Sequence, residues 1–192
     1  MSNRIAIISA AAFGALALTA AAVVPVSAQA KMKSEMSGEK TVMVGGAAMF
    51  PSRNIIQNAV NSKDHTTLVA AVKAAGLVST LEGKGPFTVF APTNSAFGKL
   101  QAGTVDNLVK PENKAILSKI LTFHVVPGKL EASDLTDGKK LKTVEGEQLT
   151  VKRSGDKVMI IDAKGDSATV TISNVNQSNG VIHVVDTVLM PS

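Results

Sequence analysis

The side chains of this sequence that could do chemistry are few and scattered. Three histidines stand at positions 65, 124 and 183. No two of them form an H-x-H, an i to i+4 pair or an H-E-x-x-H, so none has the spacing that gathers imidazoles around a metal ion. The chain has no cysteine, which excludes thiol catalysis and thiolate metal sites. Asp162 and Asp166 flank Gly165 in DAKGD without the spacing of a calcium loop, and a hairpin turn explains them better. Met32 and Met36 carry thioether sulfur suited to Cu(I), but no nearby histidine supplies a third ligand, so a solvated linker is the simpler reading. Neither a metal site nor a catalytic residue is expected.

The stretch that looks most reactive is PFTVFAPTNSAF, residues 86–97. It reads as a short apolar strand that turns at Pro92–Ser95 into a helix, with a hydroxyl at the apex. An esterase elbow at such a corner uses G-x-S-x-G, because glycines let the strained turn sit beside its neighbours. The five residues here are Thr93-Asn94-Ser95-Ala96-Phe97, and the glycines are absent. Thr93 is expected instead to cap the following helix, contributing about 1 kcal/mol. Asn94 is expected to tie the turn to neighbouring backbone. His183 alternates with apolar residues in VIHVV, and His124 joins the apolar end of a helix to VVPG, so both are expected as satisfied core or boundary residues. His65 follows Asp64 at a helix start and is expected to be solvated or capping.

The elements that must position these residues begin after the first thirty. MSNRIAIISAAAFGALALTAAAVVPVSAQA has one basic residue, an apolar run from Ile5 to Val24, Pro25, and an A-x-A site at Ala28–Ala30, the pattern of a secretory signal cleaved after Ala30. An uncleaved anchor is the alternative, though alanine-rich segments make poor permanent spans. Removal of residues 1–30 from the 192 leaves 162, enough for one core, with 19 basic and 15 acidic residues interspersed along the chain. So mixed a charge, with five remaining Phe in apolar settings, argues against a nucleic-acid face. An exported chain without disulfides must be stabilised by packing.

Residues 31–50, rich in Met and Gly, read as a flexible leader. SRNIIQNAVNS follows with Ser52 as N-cap and Ile55, Ile56, Ala59 and Val60 on one stripe. HTTLVAAVKAAG repeats the spacing with Leu68, Val69, Val72 and Ala75 and stops at Gly76. A helix from about Thr93 to Leu100, a turn over TVDNLV and a longer helix over PENKAILSKILTF, with Ile116, Leu117, Ile120 and Leu121 inward, complete the helical half. After His124 come five short β-branched runs, KLKTV, QLTVKRS, KVMIID, SATVTISNV and VIHVV, separated by turns. Helices first and strands second imply an α+β class with an antiparallel sheet, not a doubly wound nucleotide-binding fold.

Three stretches taken together, TVFAPTNSAF (88–97), ILTFHVVPGKL (120–130) and NGVIHVVDTVLMP (179–191), resemble the two signature segments and the middle Tyr-His segment of the fasciclin (FAS1) domain. The resemblance covers residues 51 to 191, giving a division into signal (1–30), leader (31–50) and FAS1 domain (51–192), in the single-domain exported form. It implies a wedge of about seven β-strands packed against a layer of short α-helices, no common enzymatic activity, and adhesion, matrix or protein contacts at a periplasmic, secreted or cell-surface location. By the same resemblance, Thr93, Asn94, Phe97, Gly180 and His183 are motif residues that hold structure. Contacts would run through Phe123, His124, Val125 and Pro127. Two departures matter: Phe123 stands where many relatives have Tyr, and SNVNQSNG lacks the Asp-Ile integrin sequence of animal members, so integrin binding does not carry over. The leading expectation is a non-enzymatic interaction module whose partner is a surface or matrix component. The alternative is a carrier of a long apolar small molecule, such as the carotenoids of some algal and microbial relatives, held between helices and sheet. A smooth channel suits a chain that is 45% hydrophobic and poor in aromatics.

Overall fold

The computed structural model describes residues 39–192; the expected signal and the first part of the leader lie outside them. Within the expected leader the chain already pairs. β1 (Val42–Val44) and β2 (Ala47–Met49) form an antiparallel hairpin around Gly45 and Gly46, whose φ of +56° and +75° are the conformation a two-residue hairpin turn needs. Val44 and Met49 are buried in the core, so the end of the leader is a structural part of the domain and not a flexible tether.

Short helices follow: α1 (Ile55–Ala59), α2 (Thr66–Ala75) and α3 (Val78–Leu81). The N-cap of α1 is Asn54, which exchanges capping hydrogen bonds with Gln57; the expected cap, Ser52, donates instead to Glu39 at 2.9 Å. α2 ends at Gly76 in the left-handed region, φ +74°, as expected from the sequence. β3 (Phe87–Pro92) leads into α4 (Asn94–Gly98), α5 (Thr104–Leu108) and α6 (Lys114–Phe123). Two residues expected to face inward do not: Val60 is 50% and Ile116 is 54% exposed. Val60 is the C-cap beyond the last turn of α1, and Ile116 lies at the margin of the stripe set by Leu117, Ile120 and Leu121.

The strands after α6 are β4 (Val125–Pro127), β5 (Lys140–Lys142), β6 (Gln148–Ser154), β7 (Lys157–Ile161), β8 (Ser167–Gln177) and β9 (Gly180–Val185). They join β3 in one seven-stranded sheet, ordered β4-β3-β9-β8-β7-β6-β5. The sheet is not wholly antiparallel as expected, because β3 and β9 run parallel in the register Phe87↔Gly180 to Pro92↔Val185. Every residue of β9 is buried, the mark of a strand covered on both faces. The two ends of the sheet approach each other, and the Val144 amide donates to the Val125 carbonyl at 2.8 Å. The sheet therefore curls almost into a barrel.

Curling splits the interior in two. One core lies under the helices and includes Ile55, Leu68, Val72, Val89, Leu121 and Ile182. The other lies inside the curl, where Phe90 and Phe123 pack with Leu135, Leu149, Val151 and Ile160. Alternation along β3 sends Val89 and Ala91 to the first and Phe90 to the second.

Candidate functional site

The corner after β3 is built as a joint. Thr93 accepts a hydrogen bond from the Ala96 amide at 3.2 Å, the expected N-cap of α4. The Asn94 side chain accepts from the Thr67 amide at 3.0 Å and donates to the Lys63 carbonyl at 2.8 Å and to Thr66 Oγ1 at 2.9 Å. It thus supplies α2 with a cap that no residue at that helix's own start provides. Phe97 is buried beneath the same turn. Ser95 at the apex is exposed, and the hydrogen bonds of the three buried histidines run to Ser62, Ile120, Leu189, Asn174 and Leu130, never to Ser95. The corner does not bring together a nucleophile and a base.

The middle segment is latched from both sides. His124 is buried at the end of α6, with Nδ1 donating to the Ile120 carbonyl at 2.8 Å and Nε2 accepting from the Leu189 amide at 3.0 Å. Both ring nitrogens are satisfied in the neutral form. Burial lowers its pKa from 6.5 to about 4, against the opposing pull of the Ile120 carbonyl and the Asp162 carboxylate. His183 on β9 stacks on Phe90 with ring centroids 5.7 Å apart, donates from Nε2 to the Leu130 carbonyl at 2.7 Å and accepts from the Asn174 amide at 3.4 Å. Burial lowers its pKa too. Thr88 donates to the Gly128 carbonyl at 2.6 Å and accepts from the Leu130 amide at 2.9 Å. Of the residues expected to make contacts, Phe123, His124 and Val125 are therefore interior, and Pro127 is exposed. Phe123 has no exposed surface and packs in the core of the curl, where a phenol hydroxyl would need a partner. Gly180 lies opposite Phe87, and a Cβ there would collide with the Phe87 carbonyl.

Two asparagines that sequence reading passed over complete the frame. Asn179 is buried; its side chain accepts from the Ile55 amide at 3.0 Å and donates to the carbonyls of Leu81 at 2.7 Å and Gly83 at 2.9 Å, so one residue joins the start of α1 and the end of α3 to the head of β9. Asn58 is bonded to both backbone groups of Phe50 and to Gln177 on β8. The signal for Asn179 was its place before Gly180 in a turn, but which groups it meets is a matter of tertiary approach. Asp162 accepts from the amides of Lys164, Asp166 and Met190, which bears out the hairpin-turn reading of DAKGD.

Between the helices and the sheet lies an apolar cavity of about 80 Å³, walled by the β1–β2 hairpin, α1, α2, α3, β3 and β9. His65 lines it. Expected as solvated or capping, this residue is 3% exposed, and the turn Lys63–His65 folds it inward. Ser62 bonds its Nδ1 at 2.9 Å, while its Nε2 is buried without a hydrogen-bond partner. Burial lowers its pKa; the Ala91 carbonyl, close to the ring but outside hydrogen-bond geometry, and Asp64 pull the other way.

The match to a family model decides the affiliation. Residues 63–191 match the fasciclin domain. This chain belongs to the fasciclin family. It is 47% identical to protein sll1483 of Synechocystis over 167 residues, covering 87% of this chain and 88% of that one. It is 36% identical to immunogenic protein MPB70 and 39% identical to cell surface glycolipoprotein MPB83 of Mycobacterium bovis, covering 69% and 77% of this chain and 66% and 64% of those proteins. Among solved structures it is similar to a FAS1 domain pair from the insect cell adhesion molecule fasciclin I, with a TM-score of 0.67 at 17% identity, over 79% of this chain and 58% of that one. That likeness confirms the fold: an α+β wedge of a curled seven-stranded sheet and short helices. Of these proteins, one is named a cell surface glycolipoprotein and another a cell adhesion molecule. Among the described residues no helix is long and apolar enough to cross a membrane.

Proposed function

We propose that the protein is an exported, non-enzymatic interaction module that contacts other components of the cell surface or matrix. The observation that carries this reading is the fate of the signature polar groups. Thr93, Asn94, Thr88, His124 and His183 are all consumed in internal hydrogen bonds, so the motif builds a rigid unit and leaves contact to the outer surface. The relatives' names, a cell surface glycolipoprotein and a cell adhesion molecule, support the same direction. Within the middle segment, contact would fall to Pro127 and the backbone beyond it rather than to Phe123. Deleting the gene should reduce attachment or aggregation of cells, restored by adding purified protein; unchanged behaviour in both assays would overturn the proposal.

A second reading, binding of an apolar molecule, is favoured by the cavity under the helices. At about 80 Å³ it is far below the roughly 300–1,000 Å³ of sites that enclose drug-sized ligands, so it would take a ring or a chain end, and a carotenoid would require the helices to part from the sheet. Protein loaded with carotenoid should show a visible band that co-migrates with it; colourless protein would remove this reading.

A further inference from the structure

The charges that look evenly mixed along the chain are sorted by the sheet. In β5, β6 and β7 the inward residues are Leu141, Leu149, Val151, Val158 and Ile160, all buried. Alternation then sends Lys140 and Lys142 of β5, Lys152 of β6 and Lys157 of β7 to the outer face, where all four are exposed. The register turns them into a row. Lys140 lies opposite Thr150, which places Lys152 on the diagonal; Lys152 lies opposite Met159, which places Lys157 on the next diagonal. Each diagonal step is about 7–8 Å, and Lys142 extends the row by one pleat of about 7 Å along β5. The row thus crosses three strands over about 20 Å.

No acidic residue shares this face, which otherwise carries polar residues such as Gln148, Thr150 and Thr169 and the half-buried Met159 and Ile161. Acids near it are confined to turns and loops: Asp137 before β5, which accepts from the Arg153 amide at 2.7 Å, Asp156 in the β6–β7 turn, Asp162 and Asp166 in the β7–β8 turn, and Glu147 bonded to Ser192. The ion pairs among the described residues use Lys99, Lys119 and Lys129, none of them in the row. Like charges held side by side repel, and an anionic partner relieves that repulsion.

We propose that the outer face of β5–β8 is a docking surface for a linear acidic polysaccharide, its carboxylates on the lysine row and its hydroxyls on the amide and hydroxyl side chains beside it. The chemistry favours this partner over two others. A nucleic acid would call for exposed rings or guanidinium planes to stack on, and the face has no aromatic residue. A bilayer would call for an amphipathic helix or protruding apolar anchors, and the apolar residues of this sheet face, Met159 and Ile161, are half-buried between polar neighbours. Lysine, a point charge on a flexible stem, suits a chain whose carboxylates vary in pitch.

The inference rests on the surface-contact reading and is tested separately from it. The full secreted protein is passed over immobilised polygalacturonate, over neutral dextran and over phosphatidylglycerol vesicles. Binding to polygalacturonate at low ionic strength is expected, weakening steeply as salt shortens the screening length to about 8 Å at 0.15 M. The variant Lys140→Gln, Lys152→Gln, Lys157→Gln should bind at least ten-fold more weakly with an unchanged melting temperature. The variant Lys63→Gln, Lys73→Gln, Lys110→Gln, which removes the same charge from exposed positions on the helical side, should stay within two-fold of the parent. Equal loss in both variants, equal retention on dextran, preference for vesicles, or no binding to polygalacturonate at low salt would each overturn the proposal. A failure here leaves the attachment phenotype of the deletion strain standing.

Discussion

The helix-covered side of the molecule and the outer strands β5–β7 solve the same problem by different means. The helices there are short; α1 has five residues and α3 has four. Helices of that length are not stable alone, and nearly all their backbone groups are terminal and lack partners inside the helix. Asn54, Asn94 and Asn179 supply those partners, two of them from distant parts of the chain, and Asn58 ties α1 to the backbone of Phe50 ahead of it. The strands need no such pins, because each ladder satisfies its own backbone, and alternation of apolar and polar side chains suffices to bury one face. Specific polar residues therefore hold the helical side, whereas pattern holds the outer strands and leaves their outer face free to vary.

The largest expected break of this contrast is Asn179→Ala, which strands the Ile55 amide and the Leu81 carbonyl in the interior. It should cost about 3–5 kcal/mol, read as a lowered urea midpoint. A cost below about 1 kcal/mol would show that the helical side does not depend on its pins. Acid comes next. The folded-state pKa of His124, about 4, lies below the unfolded 6.5, so protonation favours the unfolded chain. This contribution to stability is complete above pH 6.5 and is lost as the pH falls from 6.5 to about 4, a loss of about 3 kcal/mol. His65 and His183, lowered in the same direction, add to it. Urea titrations at pH 7.5 and pH 4.5 measure the effect, and equal midpoints would contradict it.

Smaller effects sharpen the contrast. Asn94→Ala removes the remote cap of α2 and should cost about 1–2 kcal/mol, while Thr93→Ala should cost about 1 kcal/mol, both by thermal denaturation. Smallest of all, Lys152→Gln on the outer face of β6 should change stability by less than about 0.5 kcal/mol. A substantial loss there would mean that the outer face carries structure after all.

Much of this could be read from local pattern. The five C-terminal strands, the Gly76 stop and the Thr93 cap depend on residues within one turn of each other, and they stand where expected. The β1–β2 hairpin was also legible, since VMV-GG-AAM places two glycines between apolar runs, but strands of three residues leave no lasting periodicity. Val60 and Ile116 show the limit of a stripe, which locates a helical face without fixing where the neighbouring element stops covering it. His65 shows another limit, because its burial follows from how the Lys63–His65 turn meets the cavity, not from its neighbours in sequence. The parallel pairing of β3 with β9 had no local signal, as the two strands are separated by almost the whole domain.

By itself the sequence determined the periodicities: which runs are helix, which are strand, where turns and caps fall, and that Lys140, Lys142, Lys152 and Lys157 alternate with apolar residues. Register and approach are non-local, so only the tertiary structure decided that those lysines form one row, that Asn179 closes two helices onto β9, and that His124 and Phe123 lie inside. The physical reason is that a side chain's face follows from its own strand or helix, whereas its partners follow from where another part of the chain comes to rest.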